Sequence, residues 1–227
     1  MTGDRIRVAL VDDQALFRAG IRMLVSSQPD LAFAGEAANG REGVSLVRDA
    51  RPDVVLMDIR MPVMDGIAST AAIIEAADRE GFRPPRIIVL TTFDLDEAAA
   101  RAIRVGASGF VLKDAEPEFL LAAITTVHAG SAVIAAGATR ELFQFFSDAQ
   151  PEKRRPESFG SLTSREREIF ILAARGLSNS EIASSEYLSE ATVKTHISRI
   201  LGKLGLRDRV QLVVFAFEHG LTSWESS

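Results

Sequence analysis

The stretch Ile6-Arg-Val-Ala-Leu-Val-Asp-Asp13 is a short apolar run that ends in two carboxylates. Four comparable runs follow in the first 130 residues, and segments with apolar side chains at helical spacing separate them. This alternation predicts an α/β fold, (βα)5, in which a doubly wound parallel sheet is covered by helices on both faces. The predicted strands are Ile6–Val11, Leu31–Ala37, Val54–Met57, Ile87–Leu90 and Gly109–Leu112, and the predicted helices are Ala15–Ser27, Arg41–Ala50, Ile67–Ala77, Asp96–Val105 and Glu118–Ala129.

The pattern changes after residue 130. Residues 131–160 have two prolines and a charge cluster near their end, which predicts a linker, with a short helix over Ala138–Phe146. Residues 161–227 show helical spacing only, with capping boxes that begin at Thr163 and Ser178 and a further N-cap at Ser189. A last amphipathic segment spans Arg207–Glu218, so this part predicts a small all-α domain of four helices.

Composition excludes several classes of function. The chain of 227 residues has no Cys, which removes disulfides, thiol nucleophiles and cysteine-ligated metals, and its three scattered His make a histidine-built metal site improbable. No segment reaches the ~18–20 apolar residues of a membrane span. The N-terminus enters a strand pattern directly and lacks the apolar region of a signal peptide. We therefore expect a cytoplasmic protein with no membrane contact.

Charge is unevenly distributed along the chain. The net charge is −5, and the first 130 residues carry 14 basic and 19 acidic side chains. Residues 191–211, by contrast, hold five basic side chains against one acidic one. A local basic strip behind an acidic front half points to different partners for the two parts.

Carboxylates follow two of the predicted strands. Asp12 and Asp13 end the first strand and Asp58 ends the third, and the carboxyl ends of parallel strands share one edge of the sheet. A single Asp there is often a helix cap, but three carboxylates that meet would repel one another, and Mg²⁺ would relieve that repulsion. Thr91 and Lys113 end the fourth and fifth strands. A hydroxyl, an ammonium and a metal around one carboxylate suit a phosphoryl group bonded to it.

Four motifs carry a family resemblance over residues 5–130. They are Val-Asp-Asp at 11–13, Met-Asp-Ile-Arg-Met-Pro-Val-Met-Asp-Gly at 57–66, Leu-Thr-Thr-Phe-Asp at 90–94 and Gly-Phe-Val-Leu-Lys-Asp at 109–114. In order and spacing they resemble the receiver domain of two-component response regulators. The resemblance implies that Asp58 is the phosphoacceptor. It also implies that Asp13 and Asp58 ligate Mg²⁺, that Asp12 acts largely through water, and that the Arg60 carbonyl is a further ligand.

The same resemblance assigns the switch residues. It implies that Thr91 hydrogen-bonds the phosphoryl group and that Lys113 pairs with it. Phe110 matches the aromatic residue that turns inward when Thr91 moves, and its alternative role is that of a core phenylalanine. The implied phosphodonor is a sensor histidine kinase.

The basic strip lies on the third predicted helix of the second domain. On charge alone, a solvated helix face is the alternative to contact with nucleic acid. The motifs Leu162-Thr-Ser-Arg-Glu-Arg-Glu168, Ser189-Glu-Ala-Thr-Val-Lys-Thr-His196 and Lys203-Leu-Gly-Leu-Arg-Asp-Arg-Val210 resemble the LuxR-type helix-turn-helix domain of NarL/FixJ response regulators. The resemblance implies groove contacts by Lys194, Thr195 and Ser198, phosphate contacts by Thr192, Arg199 and Lys203, and a dimer surface at Val210, Val213 and Val214.

Two features of this domain leave alternatives open. The three valines could pack within their own domain instead of forming a dimer surface. Glu186 occupies a position where the family has an apolar residue, so that either the turn shifts register or the carboxylate points to solvent.

The sequence therefore predicts a transcription regulator that binds double-stranded promoter DNA as a homodimer when Asp58 is phosphorylated, and not a classical enzyme. One alternative is a metal-dependent phosphatase that works through an aspartyl-phosphate, although Arg60 stands where such an enzyme has its second carboxylate. The other is a regulator that does not depend on phosphorylation and whose acidic pocket is vestigial.

Overall fold

The computed structural model describes residues 5–91, 97–130, 133–134 and 156–221. The chain forms two compact units, 1–141 and 142–227. Each unit is described separately below. The short helix predicted over Ala138–Phe146 lies outside the described residues.

The first unit is built on a parallel sheet with the strand order β2-β1-β3-β4-β5-β6. The five predicted strands are present, and two of them are one or two residues longer than predicted because Asp58, Arg86 and Thr91 continue the ladder. The observed strands are β1 Ile6–Val11, β2 Leu31–Ala37, β3 Val54–Asp58, β4 Arg86–Thr91, β5 Gly109–Leu112 and β6 Val133–Ile134.

A sixth strand extends the predicted five-stranded sheet at one edge and lies inside the segment predicted as a linker. Val133 and Ile134 pair in parallel with Gly109 and Phe110 at the edge of the sheet. A strand of two residues is too short to show the alternation on which sequence-based assignment depends.

Five helices connect the strands and confirm the doubly wound arrangement. They are α1 Ala15–Ser26, α2 Gly40–Ala50, α3 Gly66–Glu80, α4 Glu97–Arg104 and α5 Pro117–His128. One apolar core contains side chains of α1 and α5, and a second contains side chains of α2 and α3. The central strands are buried on both faces, which is why the runs at 54–57 and 87–90 contain no polar residue.

The described part of the second unit is helical. A short helix, α6 Glu157–Gly160, lies within the predicted linker, and Phe159 is buried with its ring centroid 5.2 Å from that of Phe170. The four predicted helices follow as α7 Ser164–Ala174, α8 Asn179–Ser185, α9 Glu190–Leu204 and α10 Arg209–Glu218.

Polar caps set the ends of these helices, as the sequence predicts. Thr163 and Ser178 each form a complete capping box with the Glu three residues later, and Ser189 accepts a hydrogen bond from the Thr192 amide. The last helix starts two residues later than predicted because Asp208 caps it. No helix in the described ranges has the length and apolar character needed to cross a bilayer.

Candidate functional sites

The sheet brings the three predicted carboxylates together. Asp12 follows β1 directly and Asp58 is the last residue of β3, so both lie at the carboxyl edge of neighbouring strands. One carboxylate oxygen from each of Asp12, Asp13 and Asp58 lies within 4.8 Å of the others. Asp12 and Asp58 are buried, whereas Asp13 is exposed. The cluster is therefore open to solvent on one side only.

Lys113 completes the cluster from the end of β5. Its Nζ lies 2.8 Å from Asp12 Oδ2 and 3.0 Å from Asp58 Oδ2, and only 7% of the side chain is exposed. The Lys113 amide donates to the Thr91 carbonyl at 2.7 Å, which fixes the backbone where the side chain leaves the sheet. The ammonium also lies 5.0 Å from the centroid of the Phe17 ring. The lysine is thus held in place before any phosphoryl group is present.

Burial shapes the electrostatics of this site. It raises the pKa of the Asp58 carboxyl, and the charge of Asp12 adds to the effect, while Lys113 and the Arg60 amide oppose it. Burial alone would lower the pKa of Lys113, but the hydrogen bonds and charges of Asp12 and Asp58 outweigh it and raise that pKa. One ammonium among three carboxylates leaves the site with unbalanced negative charge.

The donor set fits a magnesium ion. Asp12 Oδ1 accepts a hydrogen bond from the Gln14 amide at 2.8 Å, and Asp12 Oδ2 lies 2.8 Å from Lys113 Nζ. One ammonium does not neutralise the three carboxylates of the cluster, and a divalent cation would balance the remaining negative charge. Oxygen-only ligands from few residues are what Mg²⁺ takes in proteins.

Thr91 and Phe110 lie on the strands beside the acceptor. Leu90 is the register partner of Asp58, so Thr91 stands one residue beyond it at the same edge, and its side chain is buried. Phe110 lies two residues before Leu112, the partner of Thr91, and is 1% exposed. The phenylalanine is a core residue in this structure, which is the alternative role considered above and is compatible with a switch role.

The loop after Asp58 holds features that motif spacing did not identify in full. A Cβ on Gly66 would overlap the Asp58 carbonyl oxygen and lie 2.9 Å from its carbonyl carbon, so only glycine fits there. The Gly66 amide donates to the Ile59 carbonyl at 2.9 Å, which closes the loop. Val63 has a positive φ of 69° and is 72% exposed, a strained conformation for a β-branched residue that no sequence pattern indicates.

The predicted DNA-binding helix α9 has one buried and one exposed face. Val193, Ile197 and Ile200 are buried in the core of the unit. The exposed face carries Lys194, Thr195, Ser198 and Arg199, and Thr192 is half-buried with its hydroxyl 2.8 Å from that of Ser189.

Lys203 has a different position from the other predicted contacts. Its Nζ lies 2.7 Å from Oε2 of the buried Glu166 and 3.4 Å from the Ser161 carbonyl. The lysine forms an ion pair with the capping carboxylate of α7, while 38% of its side chain stays exposed. The phosphate contact of Lys203 stays a prediction, in which the phosphate would compete with the Glu166 carboxylate.

Glu186 forms an ion pair in the turn between α8 and α9. Its carboxylate pairs with Arg165, and a second nitrogen of Arg165 donates to the Glu186 carbonyl at 3.0 Å. The Glu186 side chain is 23% exposed, so its carboxylate is held against α7 and does not extend freely into solvent.

The three valines of the predicted dimer surface are buried in the single chain. Val210, Val213 and Val214 are 1%, 7% and 4% exposed. Their burial favours packing within the chain, and a dimer surface at these residues stays a prediction.

A doubly wound sheet with a carboxylate cluster and a lysine at one edge defines a phosphoacceptor receiver domain, here followed by a helix-turn-helix domain. Comparisons with known families agree for both parts. Residues 8–125 match the response regulator receiver domain, and residues 160–216 match the luxR family of bacterial regulatory proteins. The chain belongs to the response regulators that carry a LuxR-type DNA-binding domain, and it is a DNA-binding transcriptional regulator of the two-component type.

Full-length relatives share both domains. The chain is 39% identical over 221 residues to YxjL, an uncharacterized transcriptional regulatory protein of Bacillus subtilis, covering 97% of this chain and 99% of that protein. It is 35% identical over 216 residues to the response regulator VraR of Staphylococcus aureus, covering 95% and 98%.

Solved structures show the same architecture. The response regulator ChrA of a heme-sensing two-component system matches 96% of this chain and 100% of its own, with 35% identity and a TM-score of 0.52. RcsB in a complex with DNA matches 95% and 99% with a TM-score of 0.53, and at 22% identity this likeness concerns the fold alone.

Proposed function

We propose that a sensor histidine kinase phosphorylates this regulator on Asp58 and that the phosphorylated chain binds promoter DNA in the cytoplasm as a homodimer. The observation that carries the proposal is the position of Lys113, whose Nζ lies 3.0 Å from Asp58 Oδ2 within a cluster of three carboxylates. The receiver would span 1–130, the linker 131–160 and the DNA-binding domain 161–227.

The chemistry follows from the groups around Asp58. One carboxylate oxygen attacks the phosphorus of the phosphohistidine, the P–N bond breaks, and its electron pair leaves with the imidazole nitrogen, which takes up a proton. Asp12, Asp13, Asp58 and the Arg60 carbonyl would hold Mg²⁺, which supplies positive charge to the phosphoryl oxygens. Lys113 supplies further positive charge from its fixed position.

The switch begins where the phosphoryl group meets the strand ends. Thr91 lies one residue beyond the register partner of Asp58, so its hydroxyl stands at the same edge of the sheet as the acceptor and would donate to a phosphoryl oxygen. A move of Thr91 toward that oxygen would leave space that Phe110 can fill, which biases the receiver toward a second packing state. We expect this state to favour dimers and DNA binding.

DNA contacts are assigned to the exposed face of α9. Lys194, Thr195 and Ser198 would face base edges in the major groove, while Thr192 and Arg199 would contact phosphates. Two such helices in a dimer would read half-sites about one helical turn, or 10 bp, apart or a near multiple of that distance.

Intact mass after incubation with acetyl phosphate tests the acceptor. We expect one phosphoryl group on the wild-type chain in the presence of Mg²⁺, none without Mg²⁺, and none on Asp58→Asn. Equal labelling of the wild type and Asp58→Asn would disprove the assignment of the acceptor. If no donor labels the wild type and it also fails to bind beryllofluoride with Mg²⁺, a regulator with a vestigial pocket is the better description.

The phosphatase alternative gains no support from the geometry. An aspartyl-phosphate phosphatase places a general acid–base carboxylate two residues after the nucleophile, and this chain has the exposed Arg60 there. Steady turnover of a phosphomonoester would restore that alternative.

A further inference from the structure

We propose that Tyr187 contacts a DNA phosphate from the turn of the helix-turn-helix, and that the Arg165–Glu186 pair positions it. The inference rests on the DNA-binding function of the second unit and adds a contact outside the recognition helix α9. It is carried by the conformation of the turn, by the exposure of the tyrosine and by the charges around it.

Tyr187 occupies a costly backbone conformation. Its φ is +54°, in the left-handed region that glycine adopts without penalty, and turns of this motif often contain glycine. The side chain does not compensate through packing, because 97% of the residue is exposed. Over residues 156–221 its hydroxyl has no hydrogen-bond partner and its ring no aromatic neighbour. Strain of this kind concentrates at functional sites.

The backbone on both sides of Tyr187 is held firmly. Arg165 binds both the carboxylate and the carbonyl oxygen of Glu186, the preceding residue. The Leu188 amide, on the other side, donates to the Ala183 carbonyl at 2.9 Å. The turn therefore holds the backbone of Tyr187 in one conformation, so a contact of the side chain does not require the backbone to be ordered.

The chemistry at the start of α9 favours a neutral donor to phosphate. The first charged residue of the helix is Glu190, and Lys194 is its first cation. The hydroxyls of Ser189 and Thr192 lie 2.8 Å apart, and that of Ser189 also accepts from the Thr192 amide at 3.1 Å. The phenol of Tyr187 is thus an uncommitted donor beside the end of the recognition helix that enters the groove, and tyrosine is one of the residues that contact DNA phosphates.

Binding of the full chain, phosphorylated with acetyl phosphate and Mg²⁺, to mixed-sequence duplex DNA over a range of salt concentrations tests the contact. We expect both Tyr187→Gly and Tyr187→Phe to weaken binding about tenfold, as for the loss of one hydrogen bond to a charged group. The slope of log K against log salt stays that of the wild type because no cation is lost. The matched control Arg199→Ala removes an exposed cation assigned to a phosphate and changes that slope by about one.

Thermal unfolding separates the contact from a structural role. Tyr187→Gly relieves the positive φ, so we expect a midpoint equal to or above that of the wild type together with weaker DNA binding. Binding of Tyr187→Gly and Tyr187→Phe within twofold of the wild type would overturn the proposal and assign the tyrosine to a different macromolecule. Absence of salt-dependent binding by the wild type would overturn the DNA-binding function as well.

A double-mutant cycle tests the positioning role of the ion pair. Glu186→Gln should weaken DNA binding in the wild-type background and have little further effect in the Tyr187→Gly background, because the residue to be positioned is gone. Equal effects in both backgrounds would show that the ion pair acts on DNA binding independently of Tyr187 and would overturn its positioning role.

Discussion

Lys203 Nζ lies 2.7 Å from Oε2 of Glu166, so the end of the recognition helix α9 is tied to the start of α7. Glu166 is buried and also accepts a hydrogen bond from the Thr163 amide at 2.8 Å, as part of the capping box. One carboxylate thus serves a helix cap and an ion pair together. The stability of the DNA-binding unit should therefore depend on the charge of the Glu166 carboxylate.

The first prediction concerns pH. Lys203 and the Thr163 amide both donate hydrogen bonds to the Glu166 carboxylate, and these lower the pKa of Glu166 from 4.5 to about 2. Because the folded pKa lies below the unfolded one, the stabilisation is complete above about pH 4.5 and is lost as the pH falls toward about 2. We expect Glu166→Gln to destabilise α7 and α9 at pH 7 by about 1–2 kcal/mol.

Hydrogen exchange of peptides from α7 and α9 measures this effect as a function of pH. The difference in exchange protection between the wild type and Glu166→Gln should shrink as the pH falls from about 4.5 toward about 2. Glu168→Gln is the matched control, because Glu168 is exposed and its pair with Arg165 contributes little. A difference that stays constant from pH 7 to pH 2 would contradict the role of the Glu166 charge.

The second prediction separates two cations of α9. Arg199 is exposed and is assigned to a phosphate, so Arg199→Ala should weaken DNA binding and lower the magnitude of the salt slope by about one. Lys203→Ala leaves the buried Glu166 without its counter-charge, so it should destabilise the unit by about 1–3 kcal/mol and leave the slope unchanged. Binding titrations at several salt concentrations, with thermal unfolding, distinguish the two variants. A reduced slope in Lys203→Ala would support the predicted phosphate contact of this lysine.

The third prediction concerns the carboxylate cluster. Lys113→Gln removes the cation that lies beside Asp12 and Asp58, so without Mg²⁺ the receiver should lose about 3 kcal/mol of stability. Binding of Mg²⁺ should return more stability to this variant than to the wild type, because the site is more negative. Thermal unfolding with and without Mg²⁺ measures both effects.

A compensating variant is the control for that experiment. Adding Asp12→Asn to Lys113→Gln removes a buried charge together with its partner, so stability without Mg²⁺ should recover in part while the response to Mg²⁺ falls. A response of Lys113→Gln no larger than that of the wild type would argue against a metal site at these carboxylates.

The receiver could be predicted from sequence because its signals are local and periodic. Apolar runs set the strands, and a residue that directly follows such a run must lie at the sheet edge, which is why Asp12, Asp58 and Lys113 were found together as predicted. Strand β6 was not predicted because two residues are too few to show alternating apolar and polar side chains. Its formation depends on pairing with the edge of β5.

The ion pairs of the second unit could not be predicted from sequence patterns. The partners of Lys203 and Glu186 lie 37 and 21 residues away in sequence, on α7, and a charge pattern along one helix cannot show such pairs. For the same reason the ion pair between Lys203 and Glu166 was not predicted. Backbone strain at Val63 and Tyr187 was also missed, because a positive φ at a residue other than glycine has no signal in the residue type.

The last prediction uses Gly66 to test how closely the loop and the acceptor are coupled. A Cβ at this position would overlap the Asp58 carbonyl, which belongs to rigid backbone and cannot rotate away. We expect Gly66→Ala to destabilise the receiver by about 2–3 kcal/mol and to slow phosphorylation, because the backbone that carries the acceptor must shift. Gly20→Ala is the matched control, since a Cβ at Gly20 in α1 has nothing within 4 Å and should stabilise the receiver by about 0.5–1 kcal/mol. Hydrogen exchange of the β3 amides measures the loss of stability, and the rate of labelling by acetyl phosphate measures the effect on phosphorylation. If Gly66→Ala equals the wild type in both measurements, the loop accommodates the Cβ without moving Asp58.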